Sequence, residues 1–92
     1  MKEDRITAHP TPNPNAMKFV VAGGLPDPAR RSFASAADAT GHALGVALLA
    51  LDGVASLFMV NDFVTVTKVP DAAWEDLAPR VIATLSASLA EG

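Results

Sequence analysis

Few side chains in this sequence are of a type that could do chemistry, and their spacing narrows what that chemistry could be. Cysteine is absent from the 92 residues, which removes disulfides, thiolate nucleophiles and cysteine-ligated zinc or iron-sulfur clusters from the options open to them. The two histidines, His9 and His42, each lack a second ligand at a recognised metal spacing. Surface or capping roles are expected for them, and no metal site. No serine lies in a Gly-x-Ser-x-Gly elbow, and no Ser, His and acid set can be picked out. Asp52, Asp62, Asp71, Glu75 and Asp76 fall where turns, caps and first helical turns need acidic residues. Gly41-His42-Ala43-Leu44-Gly45 is neither a dinucleotide fingerprint nor a P-loop.

The polar residues that stand out are Asn13 and Asn15, set around Pro14 in Pro10-Thr11-Pro12-Asn13-Pro14-Asn15-Ala16. Their amides could present donors and acceptors to a partner or ligand. Turn chemistry is the other reading and the favoured one, because Asn in a proline-rich turn satisfies its own backbone. The three prolines fix φ, remove backbone donors and push the residues before them towards extended conformations, so this stretch is a stiff loop.

Composition narrows the class further. A chain of this length is expected to form one domain over residues 1–92, with a single core and modest stability. A net charge of -3 with seven Lys plus Arg argues against a nucleic-acid binder, which needs a concentrated basic face. The longest apolar run, Ala43 to Leu51, is about half the ~20 residues a membrane-spanning helix requires. The charged N-terminus leads into no hydrophobic stretch, so a secretory signal is not expected and a cytoplasmic location is the default.

The elements that must position these residues can be read from periodicity. Arg5 to His9 alternates weakly as a short strand, and Met17 to Ala22 forms the next, stopped by Gly23-Gly24 and Pro26. Phe33 anchors a short strand near Arg31 to Ala34, and Ala36 to Ala39 form a helical turn. Thr40 or His42 then caps a helix over Ala43 to Leu51, which Asp52-Gly53 terminates. That helix carries a Leu44, Leu48, Leu51 stripe, with Val46 and Leu49 on its other side, so it asks for cover on more than one face. After Pro70, Asp71 is expected to cap a final helix whose apolar face is Trp74, Leu77, Val81, Leu85 and Leu89. Pro79 should kink or break that helix near Ala78.

Gly53 to Lys68 is the central feature. Two β-rich arms turn at Asn61 and Asp62, residue types that tolerate positive φ. A two-residue loop sets Val60 opposite Phe63, Met59 opposite Val64, Phe58 opposite Thr65, Leu57 opposite Val66 and Ser56 opposite Thr67. Leu57, Met59, Val64 and Val66 then face the core. Phe58 and Phe63 become diagonal neighbours on the other side, a face that is either an interface or covered by the N-terminal loop. A loop one residue longer would exchange the two faces.

With these segments placed, the chain resembles the N-terminal domain of Nfu/NifU-type iron-sulfur scaffold proteins. The residues that carry the resemblance are Thr11-Pro12-Asn13-Pro14-Asn15-Ala16-Met17-Lys18-Phe19, Gly53-Val54, Asp62-Phe63-Val64-Thr65-Val66-Thr67-Lys68, and Trp74 followed by Leu77 and Pro79. The resemblance implies an α+β domain that accompanies cluster assembly or delivery. In that family a second, C-terminal domain supplies the Cys-x-x-Cys pair that holds the cluster, so cluster-holding does not carry over to these residues. A further departure is the helix before the hairpin, which tends to begin with Ser-Pro and carry charge in the family. Here it is nearly all apolar, which points to self-association.

The fold expected is α+β, a two-layer sandwich with a largely antiparallel sheet, a central hairpin and helices on one face. The function expected is a non-enzymatic, cofactor-free module that binds another protein, an iron-sulfur carrier or client, with no nucleic acid or membrane partner. Asn13, Pro14, Asn15, Phe58, Asp62 and Phe63 are the partner-binding candidates, and no catalytic or metal-ligating residue is expected. Two rivals stand beside it. One is a small enzyme with a site between the Asn13-Pro14-Asn15 loop and the hairpin turn, and the other is a self-assembling domain that forms a homodimer.

Overall fold

A computed structural model describes residues 6–25 and 29–91. Its elements are β1 (Ile6–Pro10), β2 (Ala16–Val21), β3 (Arg31–Phe33), a 3-10 turn (Ala36–Ala39), α1 (Ala43–Leu49), β4 (Val54–Val60), β5 (Phe63–Lys68) and α2 (Trp74–Glu91). All five strands pair antiparallel in the order β1-β2-β5-β4-β3, so the hairpin supplies the middle strand, β5, and its neighbour. Both helices lie on one face, α1 against β4 and α2 against β1, and they pack on each other. The expected α+β two-layer sandwich is what the chain forms.

The register of the hairpin follows from its turn. Val60 pairs with Phe63, Met59 with Val64, Phe58 with Thr65, Leu57 with Val66 and Ser56 with Thr67, as a two-residue loop requires. Asn61 takes the positive φ, 56°, and is the one non-glycine residue to do so among those described. Leu57, Met59, Val64 and Val66 are buried under the helices with Phe19 and Val21 of β2, Leu48 of α1 and Val81 and Leu85 of α2. Between Val54 and Ser56 the pairing slips, an irregularity beside Ala55 that the alternation did not announce.

The helices bear out some expectations and correct others. His42 is the cap of α1, its Nδ1 accepting from the Gly45 N–H at 3.0 Å. The helix ends at Leu49, short of the expected Leu51, as the chain tightens through turns into Gly53 at φ +98°. Leu44 and Leu48 are buried, Leu51 is half-buried and Val46 is exposed. Gly45 lets α1 sit close on the sheet, since a Cβ there would stand 2.8 Å from the Phe33 ring.

Asp71 does not cap α2. It lies in a turn closed by Ala72 N–H to the Val69 carbonyl, and the helix starts at Trp74 with the Ala73 carbonyl accepting from Asp76 and Leu77. Nor does Pro79 break that helix, which is continuous across it. The ring sits near the N-terminus on the exposed side, where one missing bond costs least because packing of Leu77, Val81 and Leu85 holds the turns on either side. Trp74 is half-buried, and the Leu89 side chain lies outside the described residues.

Candidate functional site

Strand alternation puts every second residue of the sheet on the face away from the helices. Two of the rows that cross that face carry its aromatic residues. One runs Thr7, Val20, Phe63, Val60, and the next runs His9, Lys18, Thr65, Phe58, Ser32. Phe58 and Phe63 meet diagonally between these rows with ring centroids 6.1 Å apart and planes tilted by 47°, a separation within the range of favourable ring pairs. Lys18 Nζ stands 4.5 Å from the Phe63 centroid, and the Arg30 guanidinium carbon 5.5 Å from that of Phe58. Each ring therefore carries a cation over its π face, within the range where the ring quadrupole attracts positive charge. Both rings remain half-buried, covered by each other and by these two side chains.

The Asn13-Pro14-Asn15 loop sits at the opposite end of β5 and is tied down on three sides. Asn13 Oδ1 accepts from the Asn15 N–H at 2.9 Å, an Asx turn, and the Asn13 carbonyl accepts from Ala16. The Thr11 hydroxyl lies 2.9 Å from the Asn13 and Ala16 carbonyl oxygens. Asn15 then reaches the sheet, its carbonyl accepting from the Lys68 N–H at 2.7 Å and its side-chain oxygen from Lys68 Nζ at 3.1 Å. Trp74 Nε1 donates to the Pro14 carbonyl at 3.1 Å, joining the loop to the start of α2. Lys68 is the buried charged residue here, 9% exposed, and its ammonium partners are the neutral oxygens of Asn15 and Val69. Turn chemistry and these tethers use the polar groups of the loop internally.

The candidate residues therefore form two groups. Asn13, Pro14 and Asn15 join Lys68 and Trp74 at one end of β5, while Phe58 and Phe63 lie on the helix-free face towards the other end. Asp62 is exposed in the hairpin turn, where its carbonyl accepts from the Val21 N–H. No cleft between the loop and the hairpin turn is formed, because the length of β5 separates them. A concave space of about 390 Å³, open to solvent, lies elsewhere, between the Gly53 turn, the Val69 to Ala73 connection and the first turns of α2. Asp52, Asp71, Asp76 and Arg80 rim it.

Sequence reasoning passed over Lys18, Arg30, Lys68 and Trp74 as partners in these two groups. Lys68 had a legible signal, since it continues the inward series Val64, Val66. Lys18 and Arg30 had none, because their places over the rings depend on which strands become neighbours.

Comparison with known proteins agrees with this architecture. The family model for the N-terminal part of the scaffold proteins Nfu and NifU matches residues 6–92. The chain is 40% identical over 81 residues to conserved virulence factor C of Staphylococcus saprophyticus, covering 88% of this chain and 22% of that protein. It is 32% identical over 80 residues to the mitochondrial NifU-like protein 4 of Arabidopsis thaliana, covering 87% of this chain and 28% of that one. The chain thus spans about a quarter of the length of these relatives. Among solved structures, the NifU-like protein of Saccharomyces cerevisiae superposes with a TM-score of 0.79 at 28% identity, over 95% of this chain and 79% of that one. Protein SAV1430 of Staphylococcus aureus does so with a TM-score of 0.73 at 32% identity, over 87% of this chain and 96% of that one. The motifs at the two ends of β5 and the five-stranded sheet that joins them are those of a known group: this chain belongs to the Nfu/NifU N-terminal family.

Proposed function

We propose that this chain is a non-enzymatic interaction module that accompanies iron-sulfur cluster assembly or delivery by binding another protein, without ligating a cluster itself. The observation that carries the proposal is the match of residues 6–92 to the Nfu/NifU N-terminal family. The lack of cysteine in the sequence limits its part to an accessory one, with the thiolates supplied by another polypeptide segment. The loop of Asn13, Pro14 and Asn15 has a structural role in this reading, holding β2, β5 and α2 together. Docking falls to the face of Phe58 and Phe63, with Asp62 at its rim. The default site of action is the cytoplasm.

Affinity enrichment from the native cell under mild conditions tests the proposal. Recovery of an iron-sulfur assembly factor, carrier or client supports it, and repeated recovery of none counts against it. The purified chain is expected to take up no cluster on anaerobic reconstitution with iron and sulfide. Stable cluster absorbance after desalting would overturn the accessory role.

A further inference from the structure

The helix-free face has a charge character opposite to that of the whole chain. The net charge is -3, yet the charges described on this face are Lys18 and Arg30. Among the described residues, Asp52, Asp71 and Asp76 gather at the depression beside α2, Glu75 lies in the first turn of that helix, and Asp38 is held by the Ala34 N–H. Of the described acids, only Asp62 approaches the face, at the hairpin tip. Lys18 and Arg30 contact rings, and among the described residues no carboxylate pairs with either. Beside them runs the apolar row of Val20, Phe63 and Val60.

We propose that this face docks an acidic segment of a partner protein, one whose carboxylates meet Lys18 and Arg30 while its neighbouring apolar side chains cover Val20, Phe58, Val60 and Phe63. This rests on the reading of the chain as an interaction module and names the chemistry of its partner. A carboxylate approaching from solvent finds each cation already placed over a ring, so little side-chain freedom remains to be lost on binding. The acids among the described residues lie mostly on other surfaces, so an acidic partner is drawn to this face and repelled from the depression.

The charge pattern also disfavours the other occupants. A second copy docked through this face by a two-fold axis would bring the Lys18 and Arg30 of one copy to the same interface as those of the other, with like charges facing. A single-stranded nucleic acid needs bare rings for bases to stack on, and here each ring carries a cation. Two cations would also release few counterions.

The test is a titration of the isotope-labelled chain, followed by NMR, with a short synthetic peptide in which glutamates alternate with leucine and phenylalanine. Its glutamine counterpart and an oligothymidylate serve as controls. The expected result is shift changes confined to β2, β4 and β5 positions of the helix-free face, with the glutamine peptide about five- to tenfold weaker. The double variant K18E/R30E should keep the native fold, with its own shift differences confined to the neighbourhood of the two substitutions, and lose about tenfold or more in affinity for the glutamate peptide. No shift changes at millimolar peptide, changes centred on the helices, or equal binding by K18E/R30E would each overturn the proposal. So would tighter binding of the oligothymidylate, or concentration-dependent self-association through this face.

A photo-crosslinker at Val60, used in native extract, separates this proposal from the functional one. Crosslinks to an acidic segment of a protein unrelated to iron-sulfur assembly would uphold the face and remove the function. An assembly factor crosslinked only through the helical side would do the reverse.

Discussion

The two sides of the β4–β5 hairpin are built from the same strands in the same register, yet they are under different constraints. On the inner side Leu57 is 2% exposed and Met59, Val64 and Val66 are fully buried, each enclosed by helices and neighbouring strands. On the outer side Phe58, Val60, Phe63, Thr65 and Thr67 are half-buried, and the rings are covered by each other and by two cations. The inner side is fixed by packing density, where a lost methylene leaves a void. The outer side needs only to stay soluble, which leaves its residue types free to serve recognition. The contrast shows how one hairpin can hold a fold together and present a surface.

The sharpest way to break this comparison is to truncate one residue on each side. Met59→Ala should lower the unfolding free energy by about 2–5 kcal/mol, whereas Phe63→Ala should cost only about 1–2 kcal/mol, since part of its area is already in water. Urea unfolding with matched m-values checks both, and equal costs would mean that the outer face is packed like a core.

Adding volume on the inner side is the next test. Gly45→Ala gains about 1 kcal/mol of helix propensity but drives a Cβ to within 2.8 Å of the Phe33 ring and 3.1 Å of Ala39 Cβ. Overpacking of this kind costs about 1–3 kcal/mol, so a net loss near 1 kcal/mol is expected in thermal unfolding. A stabilised variant would show that α1 can move off the sheet.

Smaller effects sharpen the account. Trp74→Phe keeps most of the ring packing against Phe19 and removes the donor to the Pro14 carbonyl, for a loss of about 0.5–1.5 kcal/mol and faster amide exchange at Ala16. If exchange at Ala16 stays as slow, the loop is held by Asn15 and Lys68 alone. The least change is expected from Lys18→Gln, about 0.5–1 kcal/mol for a half-buried cation over Phe63. A larger loss would give Lys18 a part in stability as well as in recognition.

How much of this was legible in the sequence depended on the range of the interaction that decides it. The hairpin register, its inward set and the Phe58–Phe63 diagonal all follow from alternation around a two-residue turn, so they could be read locally. The cap at His42 was narrowed to two residues by local chemistry and settled by the fold. Asp71 and the expected break at Pro79 misled because local preference was outweighed: the chain turns from Val69 to Ala72 before α2 begins, and core packing carries the helix through the proline. The positions of Lys18 and Arg30 over the rings were beyond reach, since they require β2 beside β5 and β3 beside β4. Lys68 lay between these cases, its burial signalled by alternation and its partner Asn15 not.

The most direct test of the central claim compares native partners recovered by the wild-type chain and by K18E/R30E, at a temperature where unfolding curves show both to be fully folded. The account predicts recovery of the principal partner reduced about tenfold, with a midpoint lowered only as far as the loss of two cation–ring contacts requires. Equal recovery by the two proteins would contradict it and place recognition on another surface.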